Sequence, residues 1–361
     1  MKVTYISFRD YTALPFLKEL NRLGAETEYV AIPTSHRMIL GSLEALTIPR
    51  DSLVILESQA AWFAYALKSR LSFAKYGYLV RLEGDPFTEA AEVSKPFRTA
   101  WELVLRTGLG EATGIIHVSE YLKREIARRI PGAPHRVVHN GVDIQTFSPG
   151  MGSEVEFSKL AGPKDNKLAL VTLMNFDISR KLEAFADAAE PLSKLASSFD
   201  YRLLLVGDGA YRKSVARIFK NLKNVEFVGA IPRAAVARVL PLFDVFFYPS
   251  SLDAYPNSIL EASASGLPIL ATSTGGIPEQ VEHEKTGLLM TDLRTQLYPY
   301  MKRLLEDSKL RSAYGRSARK KAESEFDWKI NCAEFARNVL ELTDFGRGGT
   351  DRSQSRLPFG G

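Results

Sequence analysis

Short runs of Val, Ile, Leu and Phe alternate along the chain with longer stretches in which apolar residues recur every three or four positions. Continuous apolar runs mark strands buried on both faces, and their alternation with helix-period stretches implies parallel β/α layers. The runs predict strands near residues 2–7, 26–31, 53–57, 78–83, 114–118 and 136–139. A second set falls near 168–174, 202–206, 224–228, 245–249, 268–272 and 286–290. The expectation is an α/β protein with two doubly wound, Rossmann-like parallel sheets in tandem.

Between the two sets, SPGMGSEVEFSKLAGPKDN loses periodicity and gathers Gly, Pro and polar residues. It predicts a linker at 149–166 between an N-terminal domain, 1–148, and a second domain, 167–327. Residues 295–343 read as mostly helical, and the stretch 346–361, GRGGTDRSQSRLPFGG, is poor enough in apolar residues to read as disordered.

Composition narrows the classes. A chain of 361 residues suits two cores, and 45% hydrophobic with 25% charged residues is ordinary for a globular protein. No apolar run approaches the roughly 20 residues that span a bilayer. Arg9 and Asp10 interrupt the N-terminal stretch before it could form a signal peptide, so the expected location is cytoplasmic. The single cysteine, Cys332, excludes an internal disulfide and a cysteine cluster, and reads as a packing residue. Five histidines form no metal pattern: His135 and His139 flank a strand rather than share a helix face, and His117 lies in the apolar run GIIHVS. A net charge of +5 favours anionic partners, but no nucleic-acid motif is present, so nucleic acid is not expected. The basic stretch 121–136, YLKREIARRIPGAPHR, reads as a solvated helix face, or as a peripheral contact with an anionic membrane such as the inner face of the cell membrane.

Open parallel sheets bind ligands outside the carboxyl ends of their strands, which directs attention to the strand-to-helix turns. After the run VFFYPS, Asp253 lies in a loop, Pro256 or Ser258 can take the first helical position, and Asn257 is an alternative cap. Such a helix start suits an anion, and Glu261 falls about one turn inside it. Glu261 could equally be a carboxylate that complements the helix dipole. Gly207-Asp208-Gly209 follows another apolar run and fits either a tight turn or close approach of a ligand. Arg180-Lys181 places two cations at a helix start, where they oppose the dipole and so favour anion binding.

These segments together resemble the retaining glycosyltransferases of family 4, which have the two-domain GT-B architecture. The resemblance rests on HVSEYLKREI, VVHNGVDIQTFSP, LLLVGDGAYRK, NVEFVGAIP, the paired acids Asp253 and Glu261, GLPILATSTGGIPEQV and EHEKTGLL, in that order. It implies two Rossmann-like domains facing across a cleft, with the acceptor on the first and a nucleotide diphosphate sugar on the second. It implies Glu261 on the ribose, Asp253 on the sugar hydroxyls, and the backbone of Pro256, Asn257, Ser258, Ile259 and Leu260 on the diphosphate. Lys181 matches the family's phosphate-binding lysine, and the stretch from Gly229 to Ile231 would approach the base, with Gly207 and Gly209 on the same donor side. A final helix, about 328–344 with Trp328 at its start, would cross back to the first domain. No bound metal or cofactor is implied; the nucleotide sugar is a co-substrate, and the acceptor a glycan, a lipid-linked sugar or a small metabolite.

The chain departs from the family at several points. The first acid of the pair is Asp, Asn175 or Phe176 stands where an arginine usually precedes the lysine, and SFRDYTA replaces a Gly-Gly loop, so Arg9 becomes a candidate diphosphate contact. Where a histidine is common after the fourth strand, the chain has Arg81-Leu82-Glu83-Gly84-Asp85, and Asp85 is the catalytic substitute to test or a turn residue. Two other readings are a nucleotide-sugar 2-epimerase of the same architecture and a catalytically silent nucleotide-sugar-binding partner subunit.

Overall fold

The structure, a computed structural model, describes residues 1–7, 10–31, 52–57, 77–90, 95–163, 166–177, 179 and 181–346. They fall into two units. One comprises Met1–Val118, Lys123–Val138 and the chain from Cys332 onward, and the other comprises Ser119–Leu122 and His139–Asn331.

The strands of the first unit are β1 (Lys2–Ser7), β2 (Glu26–Ala31), β3 (Ser52–Leu56), β4 (Tyr78–Leu82), β5 (Gly114–His117) and β6 (His135–Val137). They form one parallel sheet in the order β2-β1-β3-β4-β5-β6. β4 and β5 are buried at every position while the edge strand β2 is half exposed, which is why the inner strands read as unbroken apolar runs. The second unit has β7 (Leu168–Leu173), β8 (Tyr201–Val206), β9 (Val225–Gly229), β10 (Val245–Tyr248), β11 (Ile269–Thr272) and β12 (Gly287–Met290). Their order is β12-β11-β10-β7-β8-β9, again all parallel. Strand order reverses between β7 and β10, so the loops after these two strands flank the switch point where open α/β sheets take their ligands.

The segment read as a linker carries structure. Pro149–Met151 is a 3-10 turn and Glu154–Ala161 a helix, capped by the Ser153 hydroxyl, which accepts from the Glu156 N–H at 3.4 Å. Phe157 on that helix is buried edge-on against Phe243, 5.1 Å between ring centres, so the helix belongs to the second unit and the division falls between Val138 and His139. Of the stretch 346–361 read as a disordered tail, Gly346 ends the last helix, and residues 347–361 lie outside the described residues.

The last helix, Trp328–Gly346, starts in the second unit and continues in the first. In the first, Phe335 stacks on Phe16 at 4.1 Å, and a side-chain carbon at Gly114 would come within 2.8 Å of Leu342. In the second, a side-chain carbon at Gly141 would meet Trp328 at the same 2.8 Å, which accounts for the glycine in HNGVD. The single cysteine, Cys332, is buried on this helix.

Candidate functional site

The loop after β10 runs from Ser250 to the helix Asn257–Ala264. Pro256 takes the cap position with φ −65° and ψ 121°, and Asn257 is the first helical residue, one place later than the sequence suggested for Pro256. The reason is that neighbouring side chains hold both groups. Asn140 donates its amide to Asn257 Oδ1 at 2.9 Å, and Gln280 donates to the Pro256 carbonyl at 3.0 Å. Among the described residues no side chain caps the helix. The Ile259 N–H donates to the Pro256 carbonyl at 3.2 Å, which leaves Asn257 and Ser258 as the residues whose N–H groups sit first at the helix start. A start of this kind suits an anion.

The two acids differ in their surroundings. Asp253 Oδ2 accepts from the Tyr248 hydroxyl at 2.7 Å, and burial together with that carboxylate pushes the phenol well above its usual range. Glu261 is 7% exposed; its Oε1 accepts from Arg233 Nε at 2.9 Å and lies 2.9 Å from Nη2 in the same ion pair. Burial raises the Glu261 carboxyl and Arg233 pulls it back, with burial the stronger. Arg233 opens the helix Arg233–Val239 just beyond β9, with its guanidinium 5.4 Å from the Phe147 ring centre. The stretch around Gly229 to Ile231 and Glu261 are thus joined through Arg233 at the carboxyl end of the sheet.

Glycines shape this end for close backbone packing. A side-chain carbon at Gly275 would fall 1.9 Å from the Asp253 carbonyl oxygen and one at Gly276 1.8 Å from that of Ala254; Gly275 has φ +57°. The Gly276 N–H donates to the Asp253 carbonyl at 2.9 Å, so the glycine pair clamps the acidic loop. Gly207 and Gly209, with φ of 141° and 152°, are equally constrained: side-chain carbons there would meet the Met174 carbonyl oxygen at 1.8 Å and the Phe176 carbonyl carbon at 2.5 Å. Their described neighbours are the backbone of the loop after β7, which packs against them. Gly229, φ +85°, has open space where a side-chain carbon would be.

Lys181 opens the helix Lys181–Ala196 beyond β7, on the other side of the switch point; Arg180 and Arg9 lie outside the described residues. Asp85 belongs to the first unit and uses both oxygens locally. Oδ1 accepts from the Phe87 N–H at 2.9 Å and Oδ2 from Thr88 at 2.8 Å, capping the helix Pro86–Ala90, and Arg129 pairs with it at 3.0 Å. Three cations of the basic stretch are therefore paired, Arg129 with Asp85, Arg128 with Glu125 and Arg136 with Glu341 at 4.0 Å. His117 and His135 stack and share a 2.8 Å hydrogen bond, while His139 stacks on Tyr255 and bonds Glu279 at 3.3 Å. Burial would raise the Glu279 carboxyl, but His139 and the N–H groups of Tyr121 and Glu120 outweigh it and hold it low.

Sequence reading missed Arg233, Asn140 and Gln280. Each sits in a motif quoted for the resemblance or directly after one, but side-chain pairing over such separations leaves no periodic signal. Arg319 was missed as well: it donates to the carbonyls of Ile144 (3.0 Å), Phe147 (2.8 Å) and Ala264 (2.7 Å), tying the loop that carries Phe147 to the helix that carries Glu261. Among the described residues no three His, Cys, Asp or Glu side chains could hold a metal ion, and no helix is long and apolar enough to cross a membrane.

Residues 168–307 match the family described as glycosyl transferases group 1. The chain is 29% identical over 234 residues to the N-acetyl-alpha-D-glucosaminyl L-malate synthase of Bacillus anthracis, covering 62% of this chain and 58% of that one. It is 27% identical over 241 residues to a GDP-mannose-dependent monoacylated alpha-(1-6)-phosphatidylinositol monomannoside mannosyltransferase of Corynebacterium glutamicum, covering 64% and 62%. Against a sulfoquinovosyl transferase of Arabidopsis thaliana the match covers 54% of this chain and 37% of the relative, so the chain spans less than two thirds of the length of these relatives. Two solved structures share the fold. Anabaena HepE in complex with UDP and glucose superposes with a TM-score of 0.73 at 17% identity, covering 94% of this chain and 99% of that one. Sucrose-phosphate synthase from Thermosynechococcus elongatus gives 0.76 at 16% identity, covering 95% and 99%.

Proposed function

Residues 168–307 being a glycosyl transferases group 1 domain in a GT-B architecture, we propose that the chain moves a sugar from a nucleoside diphosphate sugar to a hydroxyl-bearing acceptor, with retention at the anomeric carbon. The observation that carries this reading is the segment Asp253–Glu261 at the switch point of the second sheet. It combines an uncapped helix start for a diphosphate with a buried, ion-paired carboxylate one turn further in. A carboxylate can accept from both hydroxyls of a ribose, so Glu261 is assigned to the nucleoside and Asp253 to the sugar. A UDP or GDP donor is the reading we favour, supported by the GDP-mannose dependence of the Corynebacterium relative and in keeping with the UDP and glucose bound to Anabaena HepE. The acceptor is a glycan, a lipid-linked sugar or a small metabolite.

As the glycosidic bond breaks, negative charge grows on the departing diphosphate. The helix start at Asn257 and Ser258, and Lys181 across the switch point, are assigned to that charge. The leaving phosphate can then take the acceptor's proton on the same face, which gives retention without a covalent enzyme intermediate.

Thermal melting with UDP, GDP and ADP tests the first half of the reading: a nucleotide at about 100 times its Kd adds about 2.7 kcal/mol of stability. Release of nucleoside diphosphate in a matrix of donors and acceptors tests the second. A protein whose melting responds to none of the three would not be a nucleotide-sugar transferase.

A further inference from the structure

Glu261 is the one acid of the site that the fold both buries and pairs, and the pairing is one-sided. Arg233 places Nε and Nη2 on the same oxygen, Oε1, each at 2.9 Å. Among the described residues Oε2 accepts no hydrogen bond. The arginine is itself held: its guanidinium lies over Phe147, and the Phe147 carbonyl accepts from Arg319 at 2.8 Å. Asp143, on the same loop, lies within the electrostatic reach of Arg233 and is held below the usual carboxylate range. Burial raises Asp143, but Thr146, the Gln145 backbone and Arg233 together outweigh it.

We propose that Arg233 is a positioning residue of the donor site, which fixes Glu261 as an anionic acceptor with Oε2 presented to a ribose diol. This rests on the assignment of Glu261 to the nucleoside. An uncharged carboxyl donates one hydrogen and loses half its value as a double acceptor, so the site needs Glu261 ionised at the pH of the reaction. Burial works against that, and Arg233 is the group that opposes it.

Charged and titratable groups on the elements packed around the helix Asn257–Ala264 are otherwise engaged. Tyr248 and Asp253 bond each other, and Arg319 bonds three carbonyls and Glu323 at 2.6 Å. Lys321 pairs with Glu282 at 3.0 Å and Glu325 at 2.7 Å. Among the described residues, Arg233 alone bonds the Glu261 carboxylate.

The test is calorimetric titration of wild type, R233M, R233K and E261Q with UDP, GDP and ADP over a series from about pH 5.5 to about pH 9. The tightest of the three nucleotides is the probe, and each variant is referred to wild type at the same pH so that titration of the phosphate cancels. R233M is expected to bind about 10- to 100-fold more weakly than wild type at neutral pH, and to recover by up to about tenfold per pH unit as Glu261 is forced to ionise. R233K, which keeps the charge without the fork, should lose less than about tenfold and follow the wild-type pH profile. E261Q should be weak at every pH, and R233M/E261Q no weaker than the weaker single variant.

A folded R233M whose deficit is the same at every pH would mean that the arginine supports local packing only, and overturns the proposal. So would R233M affinity equal to wild type. Should R233M fail to melt cooperatively, the neutral variant R233Q decides: a deficit that grows toward low pH supports the proposal, and one unrelated to pH overturns it. Wild type that binds none of the three nucleotides removes the donor-site reading itself. That result is distinguishable from failure of the Arg233 proposal alone, in which wild type binds and the variants show no pH signature.

Discussion

Glu57 in the first unit and Glu261 in the second are each buried at the carboxyl end of a parallel sheet and each bonded to an arginine, yet one arrangement is closed and the other open. Glu57 uses both oxygens: Oε1 accepts from Tyr5 at 2.6 Å and Arg81 at 2.7 Å, and Oε2 accepts from Ser7. Arg81 is fully buried, carries a second carboxylate, Glu83, at 2.7 Å, and covers the Phe16 ring. Burial and the nearby Glu83 raise Glu57 against the pull of Arg81, so the cluster is a tightly coupled core network. The arginine of the second pair has a side chain 37% exposed, and its glutamate keeps one oxygen unbonded among the described residues. A carboxylate meant for a ligand must be fixed on one side only, and a partner at the rim of the sheet achieves this where a partner in the core cannot.

The strongest test of that contrast is Arg81→Met. It removes the cation from the buried carboxylate of Glu57 and from the part-buried Glu83, and removing one partner of a buried ion pair costs about 3–5 kcal/mol. Urea unfolding at neutral pH should show this loss, and a deficit below about 1 kcal/mol would mean that the cluster is not closed. Next in size is Lys181→Ala, expected to lower turnover by about 100- to 1,000-fold, as removal of one preorganised donor to a developing charge does. Arg180→Ala should cost less than about tenfold, and steady-state release of nucleoside diphosphate compares the two. If Arg180 is the more damaging, the phosphate assignment shifts by one residue.

Glu261→Ala should weaken nucleotide binding by about 10- to 150-fold, equivalent to about 1.5–3 kcal/mol for hydrogen bonds to a charged group. Glu57→Gln should leave that affinity unchanged. Titration calorimetry on the two variants sharpens the comparison directly.

The smallest effect concerns His117 in the first unit. Burial first, then His135 and Lys123, lower its pKa to about 3 from 6.5. A depressed histidine favours the folded state fully above about pH 6.5, and that contribution drains away as pH falls toward about 3, because the unfolded chain takes up the proton first. At about pH 5.5 the loss is on the order of 1 kcal/mol relative to pH 7. His117→Phe should flatten this dependence in urea midpoints taken at the two pH values, and an unchanged slope would assign the acid sensitivity elsewhere.

Strands were the most legible part of the sequence, because a strand covered on both faces, such as Tyr78–Leu82, is apolar without interruption. The helix Glu154–Ala161 was hidden by its flanks: Pro149, Gly150, Gly152 and Gly162 dominate the composition, while one capping serine and one buried phenylalanine specify the element. Gly207 and Gly209 have the positive φ of tight-turn positions, and what a side chain there would meet is the protein itself, at the backbone of Met174 and Phe176 and at Asp177 Oδ1. The acids Asp253 and Glu261 stood out by spacing. Arg233, distant in sequence from Glu261, did not, since nothing in a linear pattern tells an exposed helix-opening arginine from one turned onto a buried carboxylate.

The division of the helix Trp328–Gly346 between the units has a consequence for synthesis on the ribosome. Phe335 and Leu342 fill the first unit against Phe16 and Gly114, so that unit lacks part of its core until the second unit has been made. At the usual rate of about 5–20 residues per second, the strands that emerge first wait on the order of ten to forty seconds while the second unit is translated. During that interval the apolar surface around Phe16 is open to chaperones, until the helix that covers it has been made.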